Sequence, residues 1–462
     1  MNALAPTTGT LLRLAWPIII SRSTQVVVGL CDALMVAQLG QAALAATTTG
    51  AMNAFTLMIL PMGICFIVAS FSSQMMGAGD RVGARRYGFY GLAVAAATQV
   101  FCLAAIPFAS PALSLIGYEP AVREAMTGYL QLRLISGGAW IGIEALSNYY
   151  GGIGNTVRPM RANILAMVLN VALNWVLIGG NLGAPAMGVR GAALASTIAT
   201  CIAFGWLLGL FLYEGRRDGR VVPRLAMSEL ARMLRFGLPN GFNWFLEFFA
   251  FMFFVNVVVA GLGTSALAAI VAVIQVNSVA FMPAFGLASA GAILVGQCIG
   301  AGRSDDVPGL VRKTFLLAAV WQGAVGTAYL LLPTLLFRPF APERIAESGR
   351  LMEIGARMLM LSSAWQLFDA AATTLTEALR AAGDTTFPLW ARIAIAWLVF
   401  APGSWVSVRV LGAGDVVAVL WVVVYIAILA GVLYLRFHHA AWRRIRLMDG
   451  PVPSIEAPNT TN

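Results

Sequence analysis

The sequence predicts an all-α polytopic membrane protein whose twelve transmembrane helices form two six-helix lobes. Three observations predict it: overall apolarity, the number of apolar runs and an internal repeat. The 462 residues are 59% hydrophobic and only 11% charged, with a mean hydropathy of +0.81. Soluble domains carry about 25% charged residues, so this chain cannot cover a water-facing surface. A transmembrane helix needs about 20 mostly apolar residues. Twelve runs qualify, near 14–38, 42–76, 87–109, 122–150, 160–178, 191–213, 235–261, 264–299, 310–333, 353–379, 388–410 and 415–437. They are numbered here as spans 1 to 12.

The repeat is carried by paired motifs. Gly154-Asn155-Thr156-x-x-Pro159 joins spans 4 and 5, and Gly383-Asp384-Thr385-x-x-Pro388 joins spans 10 and 11. Gly permits positive φ, Asn or Asp can cap, and Pro suits the first turn of the next helix. Ala15-Trp16-Pro17 is answered by Gly237-Leu238-Pro239, and Leu39-Gly40-x-x-Ala43-Leu44-Ala45-Ala46 by Leu262-Gly263-x-x-Ala266-Leu267-Ala268-Ala269. Gln74-x-x-Gly77-Ala78-Gly79 is answered by Gln297-x-x-Gly300-Ala301-Gly302. Six spans in each half give both halves one orientation, hence a pseudo-two-fold along the membrane normal. The expected organisation is a lobe over 11–213, a cytoplasmic loop over 214–234, a second lobe over 235–437, and a basic then disordered tail over 438–462.

Charge sets the orientation. The net charge is +10, and 29 of the 30 basic residues are Arg, mostly in short loops. That pattern is topogenic and does not point to nucleic acid. With the N-terminus in the cytoplasm, inner segments hold 21 basic residues and outer segments six, leaving Arg22, Arg133 and Arg357 within spans. Both termini are therefore expected in the cytoplasm, with the chain in the cell inner membrane. Met1–Thr10 lacks a signal-peptide pattern, so the first run is read as a span. The five cysteines lie in apolar runs without CxxC or Cys/His spacing, which argues against a disulfide framework or metal cluster. An integral-membrane enzyme would need clustered catalytic groups; the chain has no HExxH or P-loop, and no catalytic residue is assigned.

A charge near the bilayer centre costs about 2.5–3.5 kcal/mol on insertion scales, so each needs a reason. Three acids stand out: Asp32 in span 1, Glu247 in span 7 and Asp369 in span 10. Glu247 lies ~18 Å along its helix at 1.5 Å per residue. Such a carboxylate either fixes packing through hydrogen bonds, gives a hard cation a charged oxygen, or takes and releases a proton. Asn170 and Asn174 set two amides on one face of span 5, and Gln275, Asn277 and Gln297 make span 8 polar. Phe248 belongs to an aromatic run around Glu247 that suits a flat cation. Pro17, Pro61, Pro239 and Pro283 permit bends within spans.

The paired G-[ND]-T-x-x-P turns, the Leu-Gly-x-x-Ala-Leu-Ala-Ala loops and the Gln-x-x-Gly-Ala-Gly span ends resemble the MATE (multidrug and toxic compound extrusion) transporters, over about residues 11–437. The resemblance implies two lobes in a V that export amphipathic organic cations, drugs or dyes, in exchange for Na⁺ or H⁺. No other cofactor is expected, and a monomer is. Asp32, Glu247 and Asp369 match intramembrane acids of that family, and Asn170 and Asn174 match its N-x-x-x-N pair. Glu247 and Asp369 together resemble the NorM-like branch, in which both belong to the second lobe's cation site, so Na⁺ is one expected occupant there. Trp365 departs from that branch, which often has Tyr at this place. A lipid-linked oligosaccharide flippase of the same superfamily is the alternative. Arg22, ~12 Å into span 1, favours it, because a cavity arginine suits a pyrophosphate.

Overall fold

The computed structural model describes residues 7–217, 224–340 and 348–448. Arg220, Arg344 and the tail from Asp449, used above, lie outside the described residues. Among the described residues the regular structure is entirely helical. Hydrocarbon offers backbone groups no partner, so an apolar run must satisfy its own N–H and C=O groups, and the helix does this within one segment. Ten stretches are long and apolar enough to cross a membrane, from Thr8–Ala37 to Asp415–His438. They correspond to all the expected spans except 4 and 10.

Spans 4 and 10 are present but broken, at similar places in the two halves. Span 4 consists of Pro120–Ile135 and Gly137–Gly152. Span 10 consists of Ser348–Ser362 and Gln366–Ala382, joined by a 3₁₀ turn over Ser363–Trp365. Serines sit at both breaks. Ser136 Oγ donates to the Arg133 carbonyl at 3.1 Å, and Ser362 and Ser363 donate to Leu359 and Met360, each at 2.7 Å. Such back-bonding competes with the helical ladder and bends it.

The repeat is legible in the turns. Spans 2, 4, 8 and 10 each end on a glycine in the left-handed region: Gly79, Gly154, Gly302 and Gly383, with φ of 82°, 80°, 73° and 92°. In each, the following N–H reaches back five residues, as from Asp80 to Met75 at 2.9 Å and from Asp384 to Leu379 at 2.8 Å. This is the Schellman closure, which satisfies the orphan carbonyls of a helix end and requires φ > 0. Asp384 does not cap the next helix, as its place in the motif suggests. Its buried carboxylate instead accepts from Arg436 Nε at 2.7 Å.

Two compact units result. One is Ile20–Gly241; the other is Phe242 onward together with the residues up to Ile19. The boundaries fall inside spans 1 and 7, after Ile19 and Gly241, each two residues beyond a proline (Pro17 and Pro239), and not in the 214–234 segment. The first turns of span 7 therefore belong to the N-terminal unit, where bare backbone lets them approach span 2. A Cβ on Gly63 would stand 2.7 Å from Gly241 Cα. Asn240 donates to the Gly63 carbonyl at the same place. The start of span 1 is received likewise in the C-terminal unit, where Gly286 faces Ile19 and Leu11 and Leu14 enter the core with Leu294 and Leu379. Residues 439–448 also belong to this unit. Trp442 stacks on Phe437, and Leu447 lies against Gly383.

The units differ in one respect. Span 7 passes into a π-helix over Phe254–Val258, and span 11 has two, Ile395–Phe400 and Val406–Val410. Pro402 lies between the latter two and offers no N–H to the carbonyl one turn back, which frees that ladder for the wider register.

The Gly63–Gly241 approach predicts that Gly63→Val destabilises the protein by about 1–3 kcal/mol, the usual cost of overpacking. Thermal unfolding in detergent should show a lower midpoint. Gly205→Val, with nothing within 4 Å of its added Cβ, should leave the midpoint in place.

Candidate cation sites in the spans

In the N-terminal unit, spans 1, 5 and 6 bring Asp32, Asn170 and Asn174 together, with Ser196 as a fourth member. All four are buried. Asn174 donates its amide to Asp32 Oδ1 and also reaches Asn170 Oδ1 at 3.1 Å. Asn170 donates to Ser196 Oγ at 2.8 Å, and Ser196 Oγ in turn reaches Asp32 Oδ2 at 3.4 Å. Asn170 and Asn174 are one turn apart on span 5, so both amides face the same carboxylate. Arg133, at the break in span 4, lies within electrostatic reach of Asp32 without forming an ion pair, and its side chain stacks over Trp140.

In the C-terminal unit the two expected acids lie within electrostatic reach of one another, yet their partners differ. Glu247 is paired with Arg392 of span 11. Arg392 is held further by Asn243 Oδ1 at 2.9 Å and Tyr425 Oη at 3.3 Å. Asp369 forms no ion pair among the described residues; its partner is the Gln322 amide of span 9, at 3.3 Å. It sits one turn past the break in span 10, and Trp365 is the last residue of that break. Asn277 braces the break from span 8, accepting from Gln366 Nε2 at 2.7 Å. Gln275 is exposed and does not join this group. Phe248 is half-buried; two turns along the same helix, Phe254 packs on Phe400 with centroids 5.1 Å apart.

Arg22 is not a lone cavity cation. It makes a two-pronged bond to Glu144, at 2.8 and 3.0 Å, and lies over the Phe66 ring. Planar guanidinium and carboxylate fit each other well in this fork geometry, and the pair carries no net charge into the membrane. The feature that favoured a pyrophosphate-binding flippase is thus spent on Glu144.

Four contributors escaped the sequence reading: Arg392, Tyr425, Ser196 and Gln322. Arg392 was counted as an inner, topogenic basic residue, but it is 6% exposed, and Arg85 and Arg380 are buried as well. The available signal was its position four residues past Pro388, inside an apolar run. Gln322 carried the plainer signal, an amide near the middle of span 9.

A chain built twice from six spans, with carboxylates held by amides in both units, has the makeup of a multi-pass membrane transporter. The profile of the MatE family matches residues 17–176 and 239–406, and the chain belongs to that family. Two similar relatives are each described as a probable multidrug resistance protein NorM. The one from Pseudomonas putida is 29% identical over 421 residues, 89% of this chain and 90% of that one. The one from Bradyrhizobium diazoefficiens is 28% identical over 447 residues, 94% of each chain. Among solved structures, a MATE protein in complex with MaL6 matches with a TM-score of 0.86 at 18% identity, over 94% of this chain and 97% of that one. The outward-facing conformation of a multidrug resistance MATE family transporter matches at 0.85 and 19%, over 94% and 96%. At these identities the structures share the fold.

The Arg22–Glu144 pair makes a prediction of its own. Removing one partner of a buried pair leaves an uncompensated charge and costs about 3–5 kcal/mol. Arg22→Gln and Glu144→Gln should each lower the unfolding midpoint, and the double variant should recover most of the loss. Additive effects in that cycle would show the pair to be uncoupled.

Proposed function

We propose that the chain is a secondary active multidrug efflux antiporter of the cell inner membrane, exporting amphipathic organic cations in exchange for Na⁺ or H⁺ by alternating access. The observation that carries this reading is the treatment of two acids within the spans, one buried and one half-buried. Asp32 and Asp369 are each held by a side-chain amide and by no guanidinium within ion-pair distance, among the described residues. A carboxylate that must accept and release a cation in each cycle has to be kept in the membrane without a permanent countercharge. The multidrug resistance described for the similar relatives supports the drug class.

The physics of the cycle follows. Cation and drug bind the same protein with different preferences for its two orientations, so each shifts the population toward its own. Moving a monovalent cation out against an inside-negative potential costs about 2.3 kcal/mol per 100 mV. Exchange for one inward Na⁺ or H⁺ cancels that charge movement, so a one-for-one cycle is electroneutral and driven by the ion's concentration gradient. Acids in the spans favour flat cations such as ethidium or acriflavine over anions, taken from the cytoplasm or the inner leaflet. The antiporter works as a monomer, its two units supplying the repeat that other transporters obtain by pairing.

Two outcomes test the reading. Expression in a pump-deficient strain should raise resistance to cationic dyes and leave anionic drugs unaffected. Asp369→Asn, which keeps size and hydrogen bonding but removes the charge, should insert normally and lose ion-driven export, with a partial loss for Glu247→Gln. Wild-type export by both variants sinks the coupling role of these acids. The orientation is tested separately, in a background lacking the native cysteines. Single cysteines replacing Arg217 and His439, both exposed, should resist an impermeant thiol reagent in intact cells. Ready labelling at these positions would put the termini outside.

A further inference from the structure

Span 9 carries one amide that the cycle described above leaves without a role. Val307–Leu331 is apolar through its centre except at Gln322, which is 1% exposed. Its Nε2 donates to Asp369 Oδ2 at 3.3 Å. Its Oε1 is buried and accepts no hydrogen bond. A buried acceptor left without a donor bears its full desolvation cost, so such an oxygen in a native site asks for an occupant. The placement is specific. Gly326, one turn further along span 9, has no side chain, and a Cβ there would already stand 3.5 Å from the Ser363 carbonyl. Span 9 therefore closes on the break in span 10, and Gln322 is held against the turn that bears Asp369.

The charges around it narrow the occupant. Glu247 is paired with Arg392, and Glu377, further along the same helix as Asp369, is paired with Arg380. Asp369 is left as the carboxylate of this region without an ion pair of its own among the described residues, although Arg392 lies within electrostatic reach of it. Trp365, one turn before it, brings no oxygen.

We propose that the coupling cation in the C-terminal unit is held between the Asp369 carboxylate and Oε1 of Gln322, and that Arg392, not the ion, neutralises Glu247. The proposal rests on the coupling role of Asp369 and says which groups complete its site. A hard monovalent cation takes charged and neutral oxygens together, and this pair supplies one of each. Rotation of the amide by half a turn exchanges Nε2 and Oε1, two positions that differ little in shape. With the site empty the amide donates to the carboxylate; with Na⁺ present it offers its oxygen to the ion. When the occupant is a proton, the Asp369 carboxyl O–H donates to the same oxygen.

The test uses the full-length protein in proteoliposomes loaded with ethidium, driven in one arm by a Na⁺ gradient at fixed pH and in the other by a pH gradient without Na⁺. The half-saturating concentration of the driving ion and the maximal rate are read separately. Gln322→Leu and Gln322→Met both remove the oxygen, and Met keeps the unbranched shape. Each should raise the half-saturating concentration tenfold or more, with maximal rate per folded transporter within about threefold of wild type. Gln322→Glu, which keeps an oxygen in place, should not raise it. The arm in which the shift occurs identifies the occupant as Na⁺ or H⁺. Unchanged half-saturation in both arms for whichever of Leu and Met folds, while Asp369→Asn is inactive, overturns the proposal. A lowered maximal rate at unchanged half-saturation does the same, since that is what a packing role would give. Wild-type transport by Asp369→Asn removes instead the coupling role on which the proposal stands.

Discussion

Every charge placed in the spans must find its partner inside the protein, because hydrocarbon supplies none. The arrangement of this chain follows from that constraint. Arg22 meets Glu144, Arg392 meets Glu247 and Arg380 meets Glu377, each pair drawn from within a single compact unit. These pairs join helices or brace one and leave little net charge behind. Asp32 and Asp369 are handled differently, by amides that donate hydrogen bonds without cancelling the charge. One class of carboxylate is matched by a paired guanidinium and the other is not.

The sequence was strongest where the physics is local. Ten of the twelve expected spans are helices long and apolar enough to cross a membrane, and the paired G-[ND]-T-x-x-P motifs announced helix ends that Schellman closures then realise. It was weaker wherever the answer depends on which neighbour a side chain meets. Arg392 reads as a topogenic arginine near a span end, and nothing in linear order places it on Glu247, 145 residues earlier. Gln322 stands out as an amide in the middle of span 9, yet nothing in linear order places it on Asp369, 47 residues later. The broken spans were hidden because an apolar run with a Ser in it is still an apolar run. Only the back-bonds of Ser136, Ser362 and Ser363 reveal the interruption. The boundary inside spans 1 and 7 was equally hidden, since compactness depends on the Gly63–Gly241 approach and not on where the hydrophilic residues lie.

Repetition fixes the ends of the spans more firmly than their middles. The glycine turns match across the halves, yet the π segments of spans 7 and 11 occur in the C-terminal unit alone, among the described residues. A turn is set by one residue with positive φ, so it survives divergence as long as that glycine does. The register of a span interior depends on many side chains, and a single Pro402 is enough to change it. The two units thus keep a common frame while their interiors differ.

The interiors nevertheless arrive at the same local chemistry by different routes. In the N-terminal unit Asn174, from span 5, donates to Asp32 and keeps Oδ1 buried without a donor; in the C-terminal unit Gln322, from span 9, does the same with Asp369 and Oε1. Spans 5 and 9 are not equivalent under the repeat, which pairs span 5 with span 11 and span 3 with span 9. Inheritance of a motif from one ancestral half therefore does not explain the match. The chemistry of the side chain fits it: a primary amide carries both donors and an acceptor, and in each unit it donates to the acid while its own oxygen takes no donor. On span 11 the places that answer Asn170 and Asn174 are Val399 and Gly403, which bring no amide; Arg392, four residues past Pro388, answers Asn163 and holds Glu247. The Arg392 guanidinium pairs with the second acid of the C-terminal unit, so that Asp369 is left to an amide partner.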